Sequence, residues 1–325
     1  MSIKENYNFV VYPIDDPKIS MILQNSWNST IFHEPAFLQY HPKDRFKIKY
    51  FCMESDGNIH FILPAELIGD HLISPRGASW GGPVFIQKSL KKITDITRQF
   101  VIQTQSMGVN KISITLPPST ENIFRDRRIE IALTESGFVM SKEKPTSVVK
   151  TDIKNPEVRY SSQCRRLLRK SQKNTISFSK KFNIEDFYPI MEKNLLKFDA
   201  TPTHSMEELI HLQEHYPDSI QLFSTIFEGR IAAGVLSFRT SENSKLAFYI
   251  NQDYKYSNLG CMTYCLHNLI LDCFDTGIDF LDLGVSMDLN KDNHENLAWS
   301  LLNFKESFGA TYFSRNTYVW CSNGS

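Results

Sequence analysis

Residues whose types and spacing suit chemistry gather in the last third of the chain. Lys305 lies in SLLNFKESFG (300–309), between Phe304 and Phe308. Leu297, Leu301, Phe304 and Phe308 recur at i, i+4, i+7 and i+11, the pattern of a helix over 295–308 that buries one face. At ~100° per residue, Lys305 falls roughly 40° beyond the edge of that stripe. From such a shoulder an ammonium either snorkels over the core or meets a ligand. In the second case it would meet an anionic group. Truncating it to alanine is then expected to leave the fold intact and remove activity. Asp282 stands in IDFLDLGVS (278–286). Strand alternation sets Leu281, Leu283 and Val285 on one face and Asp282, Gly284 and Ser286 on the other. A carboxylate in so apolar a strand needs a partner if it is buried. It reads as a general base, as an anchor for Lys305, or as a purely structural hydrogen-bonding aspartate.

A second group is cationic. Arg159, Arg165, Arg166, Arg169, Lys170, Lys173, Lys180 and Lys181 occur between 159 and 181 with no acid among them. Arg165, Arg169 and Lys173 share one helix face. Such a face seats phosphates, whether of a nucleotide-linked acceptor, of coenzyme A or of a tRNA end. Poor aromatic interleaving argues against binding single strands by stacking. In TPTHS (201–205), Ser205 caps a helix and Glu208 closes a capping box, which leaves His204 as an acid/base or acceptor contact. In the first half, FHEPAF (32–37) and PRGASWGG (75–82) suggest a ligand site built from Glu34, Arg76 and Trp80, with His33 beside it. Glycines 77, 81 and 82 would let backbone approach a ligand there. HLQEH (211–215) matches an inverted zinc-peptidase pattern. Tyr216-Pro217 ends that helix at once and no convincing third ligand follows, so a short exposed helix and no metal are expected.

These residues must be held by elements. The 325 residues suggest two domains at about 100–200 residues each. Apolar residues make up 41%, enough for sizeable cores, and 36 basic residues balance 36 acidic ones. Nothing global points to DNA or a membrane, so any electrostatic function rests on local segregation of charge. The six cysteines form no CxxC pair and suit a reducing compartment. With no apolar leader region and no run near ~18–20 apolar residues, the chain reads as soluble and cytoplasmic. FKIKYFCMESDGNIHFILPAEL (46–67) and IQLFSTIFEGRIAAGVLSFRT (220–240) read as hairpins turning at Asp56-Gly57 and Glu228-Gly229. Residues 120–136 read as a helix, GFVMSKEKPTSVVKTDI (137–153) as two strands, and ATYFSRNTYVWC (310–321) as one or two closing strands. MGVNKISITL (107–116) and TGIDFLDLGV (276–285) share a pattern of helix end, glycine and strand, followed later by ESGF (135–138) and ESFG (306–309). That is a weak internal repeat. Mixed strands and helices around central hairpins argue an α/β (α+β) sandwich in each half, spanning 1–152 and 158–325.

STIFHEPAFLQYH, SPRGASWGGPVF, RRLLRKSQKNTISF, IDFLDLGVS and FKESFGA, in that order, resemble the FemAB-like (Fem-type) transferases over nearly the whole chain. The ordered set is more specific than any one motif. The resemblance implies two tandem GNAT-like acyltransferase domains, each a mixed, mostly antiparallel sheet flanked by helices. The first would lie on the acceptor side and the second on the donor side. It implies transfer of an acyl group to an amine of a cell-envelope or polysaccharide precursor, such as a nucleotide-linked amino sugar. Acyl-CoA is the expected donor and aminoacyl-tRNA the alternative, because no paired heptad run suggests the helical-hairpin arm of tRNA-using members. A catalytically silent glycan- or partner-binding module is a further alternative. Lys305 resembles the family's active-site lysine. KLAFYINQD (245–253) would be the splayed strand that holds the thioester, with Tyr249 its polar-tipped residue. YKYSNLGCMTY (254–264) takes the place of the coenzyme A loop with one glycine, so Tyr254, Lys255, Gly260 and Phe304 are the expected donor contacts. Arg165, Arg169 and His204 join Glu34, Arg76 and Trp80 on the acceptor side. A monomer or homodimer is expected.

Overall fold

The computed structural model describes residues 6–121, 125–180, 183–287 and 297–322. Lys181, residues 122–124 and residues 295–296 of the expected helices lie outside them. In chain order the elements are β1 (Asn8–Tyr12), α1 (Pro17–Gln24), α2 (Pro35–Leu38), β2 (Lys49–Ser55), β3 (Asn58–Ile68), β4 (His71–Ser74), β5 (Val84–Phe85), α3 (Leu90–Ser106), β6 (Lys111–Thr115), α4 (Arg128–Glu135) and β7 (Val139–Lys150). There follow α5 (Ser162–Lys173), β8 (Ser177–Ser179), α6 (Ile184–Leu195), α7 (Met206–His215), β9 (Ile220–Phe227), β10 (Arg230–Arg239), β11 (Ser244–Gln252), α8 (Cys261–Asp275), β12 (Phe280–Val285), α9 (Trp299–Glu306) and β13 (Thr311–Cys321). The chain divides into two compact units, Met1–Lys144 with Ser314–Ser325, and Pro145–Phe313.

In the first unit the strand order is β1-β2-β3-β4-β6-β13, with β5 paired to β3. In the second it is β8-β9-β10-β11-β12-β7. Each sheet has one parallel junction, β4 with β6 and β11 with β12, and is otherwise antiparallel. The fold is thus α+β, with mixed, mostly antiparallel sheets and flanking helices. Both expected hairpins form. Asp56 and Gly57 at φ 50° and 75°, and Glu228 and Gly229 at φ 51° and 73°, adopt the left-handed conformations that tight hairpin turns demand.

The last strand of each sheet comes from a distant stretch of chain. Thr317–Cys321 of β13 pairs antiparallel with Lys111–Thr115 of β6, so residues 314–322 fold with the first unit. The sequence reading had placed them in the second half. Conversely, β7 pairs with β12 from Thr146 to Lys150, within the second unit. Which strand fills a sheet edge depends on the three-dimensional course of the chain, which local periodicity does not carry. β7 is also one strand rather than two. Pro145 lies just before its ladder with β12 begins, so its missing N–H takes no rung from that ladder. The helix expected over 120–136 is shorter, Arg128–Glu135, preceded by a 3-10 turn at Ser119–Glu121.

The first unit packs Ile93, Ile96, Phe100 and Val101 of α3 against Phe61, Leu63 and Ile112 of its sheet. In the second, Cys265, Leu266, Leu269, Ile270 and Cys273 of α8 pack on Phe223, Val235, Ala247, Leu281 and Leu283. The cysteines on α8 serve as small apolar residues. Among the described residues no helix is long and apolar enough to cross a membrane.

Candidate functional site

The second unit's sheet is interrupted in one place. β11 and β12 run parallel but pair only from Ser244–Leu246 to Phe280–Asp282. β11 then continues to Gln252 and β12 to Val285 with no further rung between them among the described residues. Two irregularities accompany the parting. Against β10 the register of β11 slips between Leu236 and Ser237, which makes Phe248 the extra residue of a bulge. Against β7 the register of β12 slips between Asp282 and Val285. Bulges bend strands and increase their twist, so both strands change course at the point where they separate. Gly284, inside the second slip, sits at φ 80°, a conformation that costs a side-chain-bearing residue energy.

Lys305 is organised around that slip. The helix carrying it is shorter than expected and turned about its axis. It buries Leu302 and Lys305, with Phe308 buried just beyond its end, whereas Leu301 is exposed. Lys305 is therefore no shoulder residue; it is 2% exposed and among the largest fully buried side chains. Its Nζ donates to the carbonyl of Gly284 at 2.7 Å and to that of Val285 at 3.2 Å. Carbonyls in and just beyond the slip thus find a cation, and a buried ammonium finds the hydrogen bonds it requires. Asp282, on the last paired rung, is 1% exposed. Its Oδ1 accepts from the Thr146 hydroxyl at 2.5 Å and from the Gly284 N–H at 2.7 Å. Gly284 is consequently held on both sides, its N–H by Asp282 and its carbonyl by Lys305. Among the described residues a Cβ added to it would meet nothing within 4 Å, so its α-carbon borders open space there. Among the described residues the buried Ser286 hydroxyl has no hydrogen-bond partner.

Tyr249 follows the bulge at Phe248 and meets His204. Its hydroxyl lies 2.9 Å from His204 Nδ1 and accepts the His204 backbone N–H at 3.3 Å. Burial pushes the phenol up to about 12, while bonds from His204 and Thr203 pull it the other way, so the hydroxyl stays protonated at neutral pH. Two residues expected in separate roles are one buried hydrogen-bonded pair. The capping box beside them is present: the Glu208 N–H donates to Ser205 Oγ at 3.2 Å, and the Ser205 N–H to Glu208 Oε2 at 2.8 Å.

The expected donor loop is a 3-10 turn, Tyr254–Leu259, ending at Gly260, which is the N-cap of α8 at φ 80°. A Cβ at Gly260 would stand 2.7 Å from the Leu167 carbonyl, so glycine lets α5 close on this turn. The first turn of α8 presents N–H groups and the positive end of a 15-residue helix dipole. Tyr254 and Lys255 are exposed beside it. The Lys197 ammonium sits 3.0 Å from the centre of the Tyr254 ring. Phe304 packs on Phe308 and the core, its ring centroid 5.3 Å away.

On α5, Cys164, Leu168 and Ser171 face inward, and Arg166, Arg169, Lys170 and Lys173 are exposed. Arg165 is partly engaged elsewhere, donating to the carbonyls of Tyr160 and Glu157. Arg169 Nε donates to the Arg165 carbonyl at 3.3 Å.

In the first unit the structure places Trp80 in the core rather than on a binding surface. It is fully buried, its indole N–H donates to Thr30 Oγ1 at 3.2 Å, and Phe32 packs edge-on at 4.7 Å. An indole that finds an internal acceptor has no need of the surface. Arg76 donates to Glu66 Oε2 at 3.0 Å and stacks over Phe46. Glu34 is half-buried at the start of α2. His33 is buried and accepts the Thr30 N–H on Nδ1 at 3.0 Å. Burial lowers its pKa to about 4, against the opposing pull of backbone groups at Gly81, Thr30 and Gly82. His211 and His215 are exposed on α7, and no group of three or more metal-ligating side chains occurs among the described residues.

Sequence reasoning missed Thr146. A threonine in mid-strand carries no signal of its own, and only the pairing of β7 with β12 brings it to Asp282.

No protein-family model matches the chain, and no curated protein matches it by sequence. Solved structures do match. FemX aligns over 97% of this chain and 98% of its own, with a TM-score of 0.71 at 10% identity. L-PGS from Bacillus licheniformis aligns over 97% and 94%, with a TM-score of 0.61 at 11% identity. A tandem GNAT protein from the clavulanic acid biosynthesis pathway aligns over 98% and 100%, with a TM-score of 0.52 at 9% identity. At these identities the likeness is one of architecture: the chain has the FemAB-like, tandem GNAT fold.

Proposed function

We propose that the protein is an N-acyltransferase that moves an acyl group from acyl-CoA to an amine of a cell-envelope or polysaccharide precursor, an amino sugar being the expected type. The observation that carries this reading is the parting of β11 from β12, with Asp282 on the last shared rung and Lys305 holding the far side. Beyond that rung β11 offers backbone N–H groups to a thioester carbonyl, and the first turn of α8 offers a site for the donor's phosphates. The amine attacks the thioester carbon, the tetrahedral oxyanion is held by donors in place beforehand, the C–S bond breaks, and the proton lost by the nitrogen ends on the departing thiolate or in solvent. Positioning of this kind supplies roughly 7–11 kcal/mol of a barrier. Of the readings for Asp282, burial and its bonds to Thr146 and Gly284 favour the structural hydrogen-bonding aspartate over the general base. Asp282 and Lys305 set the Gly284–Val285 backbone at the mouth of the site. The His204–Tyr249 pair shapes the β11 side, and the exposed cations of α5 attract phosphate.

The test is thermal stabilisation by acyl-CoA species, followed by thiol release in the presence of nucleotide-linked amino sugars. Stabilisation and thiol release are expected. Indifference to every acyl-CoA together with retention of charged tRNA would favour the aminoacyl-tRNA-dependent reading. Indifference to both would favour a silent binding module.

A further inference from the structure

We propose that Thr146 is a positioning residue of the transfer site, acting through Asp282 on Gly284. This rests on the reading that the end of β12 lines the site. Three observations lead to it. Thr146 is completely buried, and its hydroxyl donates to Asp282 Oδ1 at 2.5 Å. The same oxygen takes the Gly284 N–H at 2.7 Å. Thr146 lies two residues before Val148, which pairs with Asp282, and the β7–β12 register slip between Asp282 and Val285 sets Thr146 opposite Val285.

The consequence is geometric. A carboxylate held by one donor can turn about its Cβ–Cγ bond. With two donors on one oxygen, from two different strands, its plane is fixed. That plane sets the direction of the Gly284 N–H, and Lys305 sets the carbonyl of the same residue. Gly284 has no ladder partner in either neighbouring strand, so its orientation depends on these side chains. Among the described residues its α-carbon borders open space, where a bound group would feel a rotation of the peptide. Thr146 therefore touches no substrate, and its role is to keep the Gly284 peptide in one orientation.

Thr146→Val removes the donor at nearly constant shape, and Thr146→Ser restores it. Two measurements decide. The first is hydrogen exchange of the Gly284 amide, which needs no substrate: Thr146→Val is expected to speed it by about tenfold, the loss of roughly one hydrogen bond, with the Val149 amide unchanged. Thr146→Ser should return it to the wild-type rate. The second uses acetyl-CoA with a nucleotide-linked amino sugar, read by thiol release. Thr146→Val should lower kcat by about tenfold or more with KM for acetyl-CoA little changed, and Thr146→Ser should recover most of it. Unchanged Gly284 exchange in Thr146→Val overturns the proposal whatever the activity. So does undiminished kcat in Thr146→Val when Asp282→Asn is inactive. If the wild-type chain releases no thiol, the transferase reading fails, and the exchange measurement alone judges whether Thr146 orders Gly284.

Discussion

Replacing Lys305 probes the centre of the argument. The side chain is 2% exposed and its ammonium bonds two backbone carbonyls, of Gly284 and Val285. Lys305→Met keeps most of the volume and removes the charge. Each lost bond to a charged donor is worth roughly 1.5–3 kcal/mol. The desolvation penalty of a buried ammonium disappears with it and offsets part of that loss. The net expectation is destabilisation by about 2–4 kcal/mol. Lys305→Ala also removes three buried methylenes at about 0.8 kcal/mol each, and leaves a cavity. Its expected loss is about 5 kcal/mol, comparable with the whole stability of many domains. At roughly 2–4 °C per kcal/mol, Lys305→Met should lower Tm by about 5–15 °C, and Lys305→Ala by more. Thermal and urea melts of the full chain measure this directly. The sequence alone had suggested that the alanine variant would keep its fold, and a Tm for Lys305→Ala within about 2 °C of wild type would restore that view and refute the clamp. If Lys305→Met folds at lower stability, its thiol release separates a catalytic loss from a structural one.

Three further outcomes follow from the geometry. Among the described residues Gly284→Ala meets no atom within 4 Å, yet its φ of 80° should make it about 1–2 kcal/mol less stable, and it should shift the amide resonances of Asp282 and Val285. Gly260→Ala combines φ 80° with a carbonyl 2.7 Å away, so it should be the more damaging of the two in urea melts and should weaken stabilisation by coenzyme A. His33 has its pKa lowered to about 4 in the fold, against about 6.5 in an unfolded chain. Between those values the unfolded state holds the extra proton. The stability is therefore fully present above about pH 6.5 and declines as pH falls towards 4, by about 3 kcal/mol in all. His33→Gln should flatten that part of the profile, and an unchanged slope in urea melts from pH 4 to 7 would contradict the assignment.

Some of this was legible in the chain itself. Asp56-Gly57 and Glu228-Gly229 between β-rich runs settle two hairpins, because those turns need left-handed backbone and few residues accept it. Ser205 and Glu208 announce their capping box by spacing alone. Asp282 on the polar side of an apolar strand, the acid-free cations of α5 and the glycine before α8 are local facts that survive folding. The rest depends on partners far away in sequence. Lys305 looked half-exposed because helical periodicity weighs side chains by polarity and knows nothing of two backbone carbonyls waiting at a slipped strand end. Trp80 looked available in a glycine-rich loop because the Thr30 hydroxyl that buries it lies fifty residues earlier. Thr146, β13 and the His204–Tyr249 bond are decided by which strand edge is open and by where a bulge turns a side chain. Those are properties of the assembled sheet, and no window along the sequence contains them.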